Sequence, residues 1–392
     1  MNPSEFSKSA SGRLIQTDSG YWAFIPAPLP PEVQWSPKLV TLLSEAERAL
    51  AQLAEVGQSF SPTRISVKPF VRQEAVISSR IEGTRTSLRE LYSYEAGHLS
   101  FLEADTDAQE VQNYVQAMEY GLERLETLPV SLRFIRELHE KLMRGVRGDI
   151  WTPGEFRRNQ NWIGASGSTI ETARYVPPPV EEMHTCLHEL EDFIHAPSDL
   201  PLLIRLGMIH VQFEAIHPFL DGNGRVGRLL ISLLLCAWDL LPQPFLHLSV
   251  FIEAHRSEYY KYLLAVSQKG DWEAWLSFFL TGIREQSLEA KARVKELVNL
   301  RESYSQQLEK ERTSERLMQA IDFIMDQPVL SVRQLEAGLN LSNYLSAQRL
   351  VAKLEKYDIL QEVTGQARNR IYQADGILRA ILEPIDAPNN AF

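Results

Sequence analysis

The stretch Ala215–Arg228, AIHPFLDGNGRVGR, concentrates residue types that handle phosphate and transfer protons. His217 can accept a proton near neutral pH, and Asp221 is a hard oxygen ligand suited to Mg²⁺ beside phosphates. Arg225 and Arg228 lie one helical turn apart, and each can grip a phosphate with its planar guanidinium. Each residue alone has an ordinary structural explanation. Together they favour a nucleotide-phosphate site.

Three glycines in this stretch match the pattern GxGxxG: Gly222, Gly224 and Gly227. The match is weak evidence for a dinucleotide fold, because that fingerprint follows a strand and here a helix precedes it. Successive glycine N–H groups at the start of a helix nevertheless form an anion-binding nest. We therefore expect a phosphate-binding turn between two helices.

The flanking segments predict two buried helices that position this turn. Before it, apolar residues recur at spacings of four and three: Leu202, Leu206, Ile209, Phe213 and Ile216. Pro218 pushes His217 out of the helical region, so the first helix ends there. The second helix begins after Asn223 and is apolar almost all round from Leu229 to Leu235, which is typical of a central helix.

A second candidate motif lies far upstream. Residues Pro69–Glu82 have apolar side chains at helical spacing, and Gly83 is suited to ending that helix in the left-handed conformation. Ser78 and Glu82 share one face near its C-terminus. A carboxylate there faces the negative end of the helix dipole, so a cation from elsewhere would stabilise it. A simply solvated glutamate is the alternative.

Residues 154–179 change character within an otherwise helical region. Turn-forming residues and prolines predict a β-hairpin or loop, which we call the flap over Trp162–Val176. A hairpin can present an edge with which another chain pairs. An exposed loop without function is the alternative.

The C-terminal part reads as a long charged connector helix followed by a small domain. Helices are expected at Ser314–Met325, after Ser331 and at Ser342–Tyr357, followed by a hairpin at Ile359–Tyr372. This order resembles a winged helix-turn-helix. Its basic stripe is thin and diluted by acidic residues: Arg349, Lys353, Lys356, Arg368 and Arg370. We therefore favour docking or homodimer contact over DNA binding.

Composition excludes several classes of protein. The 392 residues suffice for two or three domains, and the net charge of −11 argues against coating nucleic acid or an anionic membrane. Cys186 and Cys236 are the only cysteines, so a disulfide framework and a structural zinc site are not expected. The N-terminus lacks a signal-peptide core, and the apolar run 229–238 is too short to span a bilayer. We expect a cytoplasmic protein.

The two motifs carry a family resemblance. HPFLDGNGRVGR, His217–Arg228, resembles the Fic-family signature HPFxDGNGRxxR with no departing position. SSRIEG, Ser78–Gly83, is similar to the family's inhibitory motif (S/T)xxxE(G/N), and its place ahead of the core resembles the class with an N-terminal inhibitory helix. GEFRRNQNWIG looks like the approach to the flap. The resemblance covers roughly residues 21–280.

The resemblance implies a mostly α fold: a Fic-type helical core with a small β-hairpin flap and an N-terminal helical region. The order of elements further on adds the expected C-terminal winged helix-turn-helix. The expected boundaries are residues 1–125, with the inhibitory helix at about 69–83, then the core at 126–282. A connector helix at 283–312 and a winged-helix domain at 313–392 follow.

The activity implied is transfer of AMP from ATP to a Ser, Thr or Tyr hydroxyl of a target protein or of the chain itself. His217 would be the general base, and Asp221 would hold Mg²⁺ against the α- and β-phosphates. Arg225 would contact the β-phosphate and Arg228 the γ-phosphate, with Asn223 in the anion hole. The nucleotide-binding set would be Gly222, Asn223, Gly224, Arg225, Val226, Gly227, Arg228 and His255, with Tyr259 and Tyr260 beside His255 on the adenine side.

The resemblance also implies autoinhibition. Ser78, Glu82 and Gly83 would form the inhibitory motif, and Glu82 would pair with Arg228, which then could not reach the γ-phosphate. Removal of AMP from modified proteins could use the same pocket. A DNA-binding regulator whose pocket only senses ATP is the alternative from another class.

Overall fold

The structure is a computed structural model that describes residues 1–8, 11–59, 67–97, 106–146, 152–165, 167–309 and 314–383. It is mostly helical with two small antiparallel sheets, so the predicted fold class is confirmed. None of the helices in this described part combines the length and apolar character that crossing a membrane requires.

The N-terminal region begins with a hairpin that was not predicted from the sequence. Strands β1 (Gly12–Gln16) and β2 (Trp22–Pro26) pair antiparallel. The Phe24 N–H also donates to the Val176 carbonyl at the end of the flap. Four helices follow: α1 (Pro37–Ser59), α2 (Lys68–Ile81), α3 (Leu88–Glu95) and α4 (Thr106–Arg124).

Local signals placed the ends of α2 and α3 correctly. Glu82 is the C-cap residue of α2. Gly83 follows with φ of 107°, a positive value that glycine adopts without strain. Ser87 and Glu90, a Ser-x-x-Glu pattern in the sequence, form a capping box at the start of α3.

Six helices form the middle of the chain: α5 (Leu132–Met143), α6 (Val180–His195), α7 (Leu202–Ile216), α8 (Asn223–Ala237), α9 (Leu248–Ala254) and α10 (Arg256–Lys269). Nearly every residue of α7 and α8 is buried, so this antiparallel pair lies at the centre, as predicted. Because both helices are packed in the core, the position of the turn between them is fixed.

The connector differs from the prediction. Helix α11 (Trp272–Leu308) starts within the expected core and runs unbroken past residue 283. It packs along α1, to which Arg284 is joined through Glu45 at 2.7 Å. Its inward stripe is buried: Ile283, Ala290, Val294 and Leu297. The helix is therefore part of the body of the protein, because its apolar stripe faces α1 rather than solvent.

The C-terminal unit, residues 314–383, contains the three predicted helices, α12 (Ser314–Asp326), α13 (Val332–Gly338) and α14 (Tyr344–Lys356), and the predicted hairpin of β4 (Gln361–Glu362) and β5 (Ile371–Gln373). A further strand that was not predicted, β3 (Val329–Ser331), lies between α12 and α13. The strands form one antiparallel sheet in the order β3-β5-β4. An added helix, α15 (Asp375–Leu382), was not predicted. The connector's end at 310–312, the unit's start at 313 and residues 384–392 lie outside the described residues.

Candidate active site

The turn between α7 and α8 is built by backbone conformation and one amide side chain. Helix α7 ends at Ile216, and His217 adopts the left-handed conformation (φ 49°, ψ 60°) ahead of Pro218. The Asn223 amide then bridges the turn: its Oδ1 accepts from the Phe219 N–H and its Nδ2 donates to the Phe219 carbonyl, each at 2.8 Å. The turn is thus fixed before any ligand binds.

His217 is positioned as an unprotonated base. Its Nδ1 lies 3.3 Å from the Glu214 carbonyl. A carbonyl can only accept, so Nδ1 carries the proton and Nε2 keeps its lone pair. Burial lowers the pKa of His217 to about 4, and the Glu214 contact only partly offsets it. The imidazole is therefore neutral at pH 7 and can take a proton.

Two residues of the flap approach hold the backbone of His217. Arg157 Nε and Asn161 Nδ2 donate to the His217 carbonyl at 3.1 Å and 3.2 Å. Asn161 also donates to the Phe219 carbonyl at 2.8 Å. The approach to the flap and the base are therefore one rigid assembly.

His139 was missed by the sequence analysis. Its Nδ1 accepts from the Gly154 N–H at 2.9 Å, so its Nε2 is the donor to the Asp221 carbonyl at 3.0 Å. The ring stacks on Phe219 at 3.7 Å. Burial lowers the pKa of His139 to about 4, so it stays neutral. The sequence did carry a signal for this residue: His139 lies four residues after Ile135, on the apolar face of α5, which predicts a buried histidine.

The start of α8 is an anion site. The first N–H groups of a helix have no partner within it, so those of Asn223 and Gly224 point outward with the positive end of the dipole behind them. The Gly222 N–H already donates to Asp221 Oδ1 at 2.6 Å. A Cβ on Gly224 would overlap Glu82 Oε1. The Glu82 carboxylate therefore lies where a phosphate oxygen would be attracted.

The predicted contact between the two motifs is confirmed. Arg228 Nη2 donates to Glu82 Oε1 at 2.7 Å and to the Ser78 carbonyl at 2.9 Å, while its Nε donates to Ser78 Oγ at 2.9 Å. The Arg228 side chain is only 2% exposed. Burial raises the pKa of Glu82, but the Arg228 guanidinium outweighs it and the net pKa is lowered. Glu82 is thus ionised at neutral pH.

Two predicted phosphate contacts differ in the structure. The Arg225 guanidinium is fully buried, with Nη1 2.9 Å from Glu110 Oε2 and Nη2 3.6 Å from Asp221 Oδ1. Both hydrogen-bonding groups of the Asn223 amide are used within the turn. These side chains therefore support the turn, and in this conformation neither offers its polar atoms to a phosphate.

Three other residues predicted to contact the nucleotide, Val226, Gly227 and His255, make their contacts elsewhere in the structure. Val226 is fully buried in the core, and Gly227 faces Glu214 Oε1, which a Cβ there would overlap. The described contacts of His255 are with Phe251 and Phe278 rather than with the turn. Of the predicted contacts on α8, the backbone at the helix start and Arg228 face the candidate site in the described structure.

Helix α10 places two tyrosines close to the ion pair. Tyr259 is buried, and its hydroxyl lies 2.8 Å from His210 Nε2. Tyr260 is 37% exposed. Burial raises the pKa of both tyrosines, and the charges of Glu82 and Arg228 act on both hydroxyls. Both hydroxyls therefore lie within electrostatic reach of the Glu82–Arg228 pair.

Glu74, a further carboxylate on α2, was also missed. Glu74, Ser78 and Glu82 are each four residues apart, so they lie on one face of α2, and this spacing is visible in the sequence. Its Oε1 accepts from Ser249 Oγ, and its Oε2 accepts from the Ser249 N–H at 3.3 Å in the first turn of α9. Burial raises the pKa of Glu74 to about 7. The carboxyl thus caps α9 and ties α2 to it.

Replacing Glu74 by glutamine should change how stability depends on pH. A carboxyl with a folded pKa of about 7 and an ordinary value of 4.5 binds more protons folded than unfolded between those pH values. The contribution of Glu74 to stability therefore falls as pH rises through this window, by about 1–3 kcal/mol. Urea unfolding at pH 5 and pH 8 should show Glu74→Gln gaining this amount of stability relative to the wild type between the two pH values, because other groups with shifted pKa values, such as Glu214 and His217, contribute equally to both proteins. The exposed control Glu258→Gln should keep the wild-type slope, and equal slopes for Glu74→Gln and wild type would contradict the assignment.

Comparison with known proteins agrees with this arrangement. Residues 40–123 match the Fic/DOC family N-terminal model, and residues 129–235 match the Fic/DOC family model. "Protein adenylyltransferase Fic" of Drosophila willistoni is 27% identical over 240 residues, which cover 60% of this chain and 45% of the relative. The protein of the same name from Drosophila virilis is 28% identical over the same shares. The chain spans less than half the length of these curated relatives.

Solved structures share the fold. A Fic family protein from Desulfovibrio desulfuricans G20 superposes with a TM-score of 0.54 at 22% identity, covering 88% of this chain and 98% of that one. Residues 134–508 of Fic-1 from C. elegans give a TM-score of 0.50 at 20% identity, covering 68% and 75%. At these identities the likeness establishes the architecture.

Proposed function

From its membership of the Fic/DOC family, carried by residues 40–123 and 129–235, we propose that this chain is a protein adenylyltransferase held inactive by its own Glu82. The observation that carries the proposal is the pairing of Glu82 with Arg228 at 2.7 Å, directly beside an anion-binding helix start and a neutral histidine. A cytoplasmic location is part of the proposal.

The reaction uses His217 as the base. The hydroxyl oxygen of a target protein attacks the α-phosphorus of ATP, the bond from that phosphorus to the pyrophosphate oxygen breaks, and pyrophosphate leaves. The proton of the hydroxyl goes to His217 Nε2, which the Nδ1 contact with Glu214 keeps unprotonated. The buried Arg157 and the partly buried Asn161 hold the backbone of the base in place while this occurs.

The start of α8 and Asp221 would bind the phosphates. Phosphate oxygens would accept from the free N–H groups of Asn223 and Gly224. The described residues contain no group of three or more potential metal ligands. A Mg²⁺ ion beside phosphates needs only one or two carboxylates, which fits Asp221 at the edge of the turn. Bound there, the ion would neutralise charge that develops on the phosphates.

Glu82 would inhibit by occupying both anion-binding features at once. Its carboxylate neutralises Arg228 and lies against Gly224. A γ-phosphate would meet a negative charge where it needs a positive one, and ATP would be misaligned for attack at the α-phosphorus. Release of α2 from Arg228 would therefore activate the site.

The flap would hold the target. Ile163 pairs antiparallel with Tyr175, so the predicted hairpin is reduced to a single bridge. Trp162 and Ile163 are 43% and 37% exposed at this edge. An extended target segment could pair with this edge and bring its hydroxyl to His217.

We include the C-terminal unit in the proposal as a winged helix-turn-helix used for docking. The exposed cations of its third helix and wing include Arg349, Lys356, Arg368 and Arg370, and acidic residues lie among them. Docking on protein, including a second copy of the chain, fits this balance better than binding DNA.

Two labelled forms of ATP test the proposed reaction. The full chain carrying Glu82→Gly is incubated with cell lysate and ATP labelled at the α- or the γ-phosphate. Adenylyl transfer leaves the α-label on protein and releases the γ-label with pyrophosphate. Retention of the γ-label alone would indicate phosphoryl transfer. Absence of both labels from protein would contradict the proposed transferase activity.

A further inference from the structure

The inhibitory helix α2 is held at its far end as well as at Glu82. Arg72 donates through Nε to both carboxylate oxygens of Glu95, at 3.0 Å and 2.9 Å, where α3 ends. The Arg72 guanidinium also lies over the Tyr92 ring, 5.8 Å from its centroid. This pair is largely buried, so α2 and α3 move together.

The C-terminal unit contacts that helix pair directly. Gln334 Nε2 of α13 donates to the Glu95 carbonyl at 3.1 Å. The same side chain accepts from the Ser331 N–H at 2.8 Å in the capping box of α13. One glutamine thus joins the end of α3 to the start of α13. Strand β3 packs on α3, and both α12 and α15 pack on α2.

Two ion pairs mark the edges of this contact. Lys68, the first residue of α2, lies 3.3 Å from Asp326 at the end of α12, and Arg89 of α3 lies 3.4 Å from Asp375 at the start of α15. Each pair is partly exposed and weak alone. Reversing one sign in each pair converts attraction into repulsion at both edges.

The opposite side of the unit is fastened to α11. The buried Arg293 donates to the carbonyls of Ala380 and Ile381 at the end of α15. Arg301 pairs with Asp322 of α12 at 2.7 Å. The unit therefore spans from α11, which packs along α1, to the α2–α3 pair.

We infer that the C-terminal unit clamps α2 in its inhibiting position, so that the docking of residues 314–383 sets how firmly Glu82 closes the site. The inference rests on the proposed function for its catalytic readout. Helix α2 cannot withdraw from Arg228 as a body without disturbing its contacts with α12, α15 and, through α3, α13. Loosening the clamp therefore lowers the cost of releasing Glu82.

Charge reversal in the full chain tests the clamp. In the double variant Asp326→Lys, Asp375→Arg, amide hydrogen exchange of α2 and the rate of AMP transfer should each rise by about threefold to tenfold. Adding Lys68→Asp and Arg89→Asp restores attraction with exchanged signs, and both quantities should return towards wild type. The control Glu315→Lys, Glu383→Arg makes the same change in net charge at exposed positions of the same unit and should alter neither.

The Glu82→Gly form separates the possible failures. If it transfers AMP while the charge-reversed variant keeps wild-type exchange and rate, the clamp is refuted and the proposed function stands. Faster exchange in α2 with a wild-type rate would also refute the clamp. If no form transfers AMP, Glu82→Gly included, the proposed function fails. The amide hydrogen exchange of α2, and its return towards wild type in the variant with all four substitutions, then test only whether the C-terminal unit docks on α2.

Discussion

Replacing Glu82 by glycine should raise the initial rate of AMP transfer at least about tenfold, because a few kcal/mol hold the inhibited state. The change removes the negative charge from the start of α8 and frees Arg228 Nη2 for the γ-phosphate. Arg228 stays in place, since Ser78 still accepts from its Nε and Nη2. The rate is measured with α-labelled ATP at saturating target.

A second variant tests whether charge or bulk is responsible. Glu82→Gln keeps the size of the side chain and one acceptor for Arg228, so its rate should fall between wild type and Glu82→Gly. The exposed control Glu126→Gly should behave as wild type. A Glu82→Gly form with the wild-type rate would show that the pair does not inhibit.

Local features of the sequence predicted the parts of the site that local physics determines. The end of α7 at His217 follows from Pro218, and the end of α2 follows from Gly83. The contact between Glu82 and Arg228 was implied by the family resemblance of the two motifs, since the helix dipole alone indicated only that a cation from elsewhere would stabilise Glu82. The three helices and the hairpin of the C-terminal unit also followed from local patterns, whereas β3 and α15 did not.

Tertiary partners account for what the sequence could not predict. Arg225 looks like a phosphate ligand in the motif, but Glu110, a distant residue on α4, meets it in the core. Asn223 looks like a free amide, but the turn places the backbone of Phe219 against it. The hairpin of β1 and β2 was missed for a different reason: its local signal, a Thr17–Gly20 turn with Gly20 in the left-handed conformation between two apolar runs, was overlooked.

In the Glu82→Gly form, replacing His217 by alanine should reduce AMP transfer by about 10²- to 10⁴-fold, the usual contribution of a general base. ATP should still bind, because the helix start and Arg228 remain. With an intact His217 whose pKa burial lowers to about 4, the base is deprotonated throughout pH 6–8. The rate of the Glu82→Gly form should therefore not fall from base protonation until pH drops towards 4.

Asparagine at the same position separates chemistry from fold. His217 has φ of 49°, a conformation that asparagine tolerates better than alanine does. His217→Asn should therefore keep the unfolding midpoint near that of the parent and lose as much activity as His217→Ala, since an amide is not a base. If His217→Asn retained transfer within threefold of the Glu82→Gly parent, the turn would act by geometry alone, and the proton of the target hydroxyl would have to leave to another group.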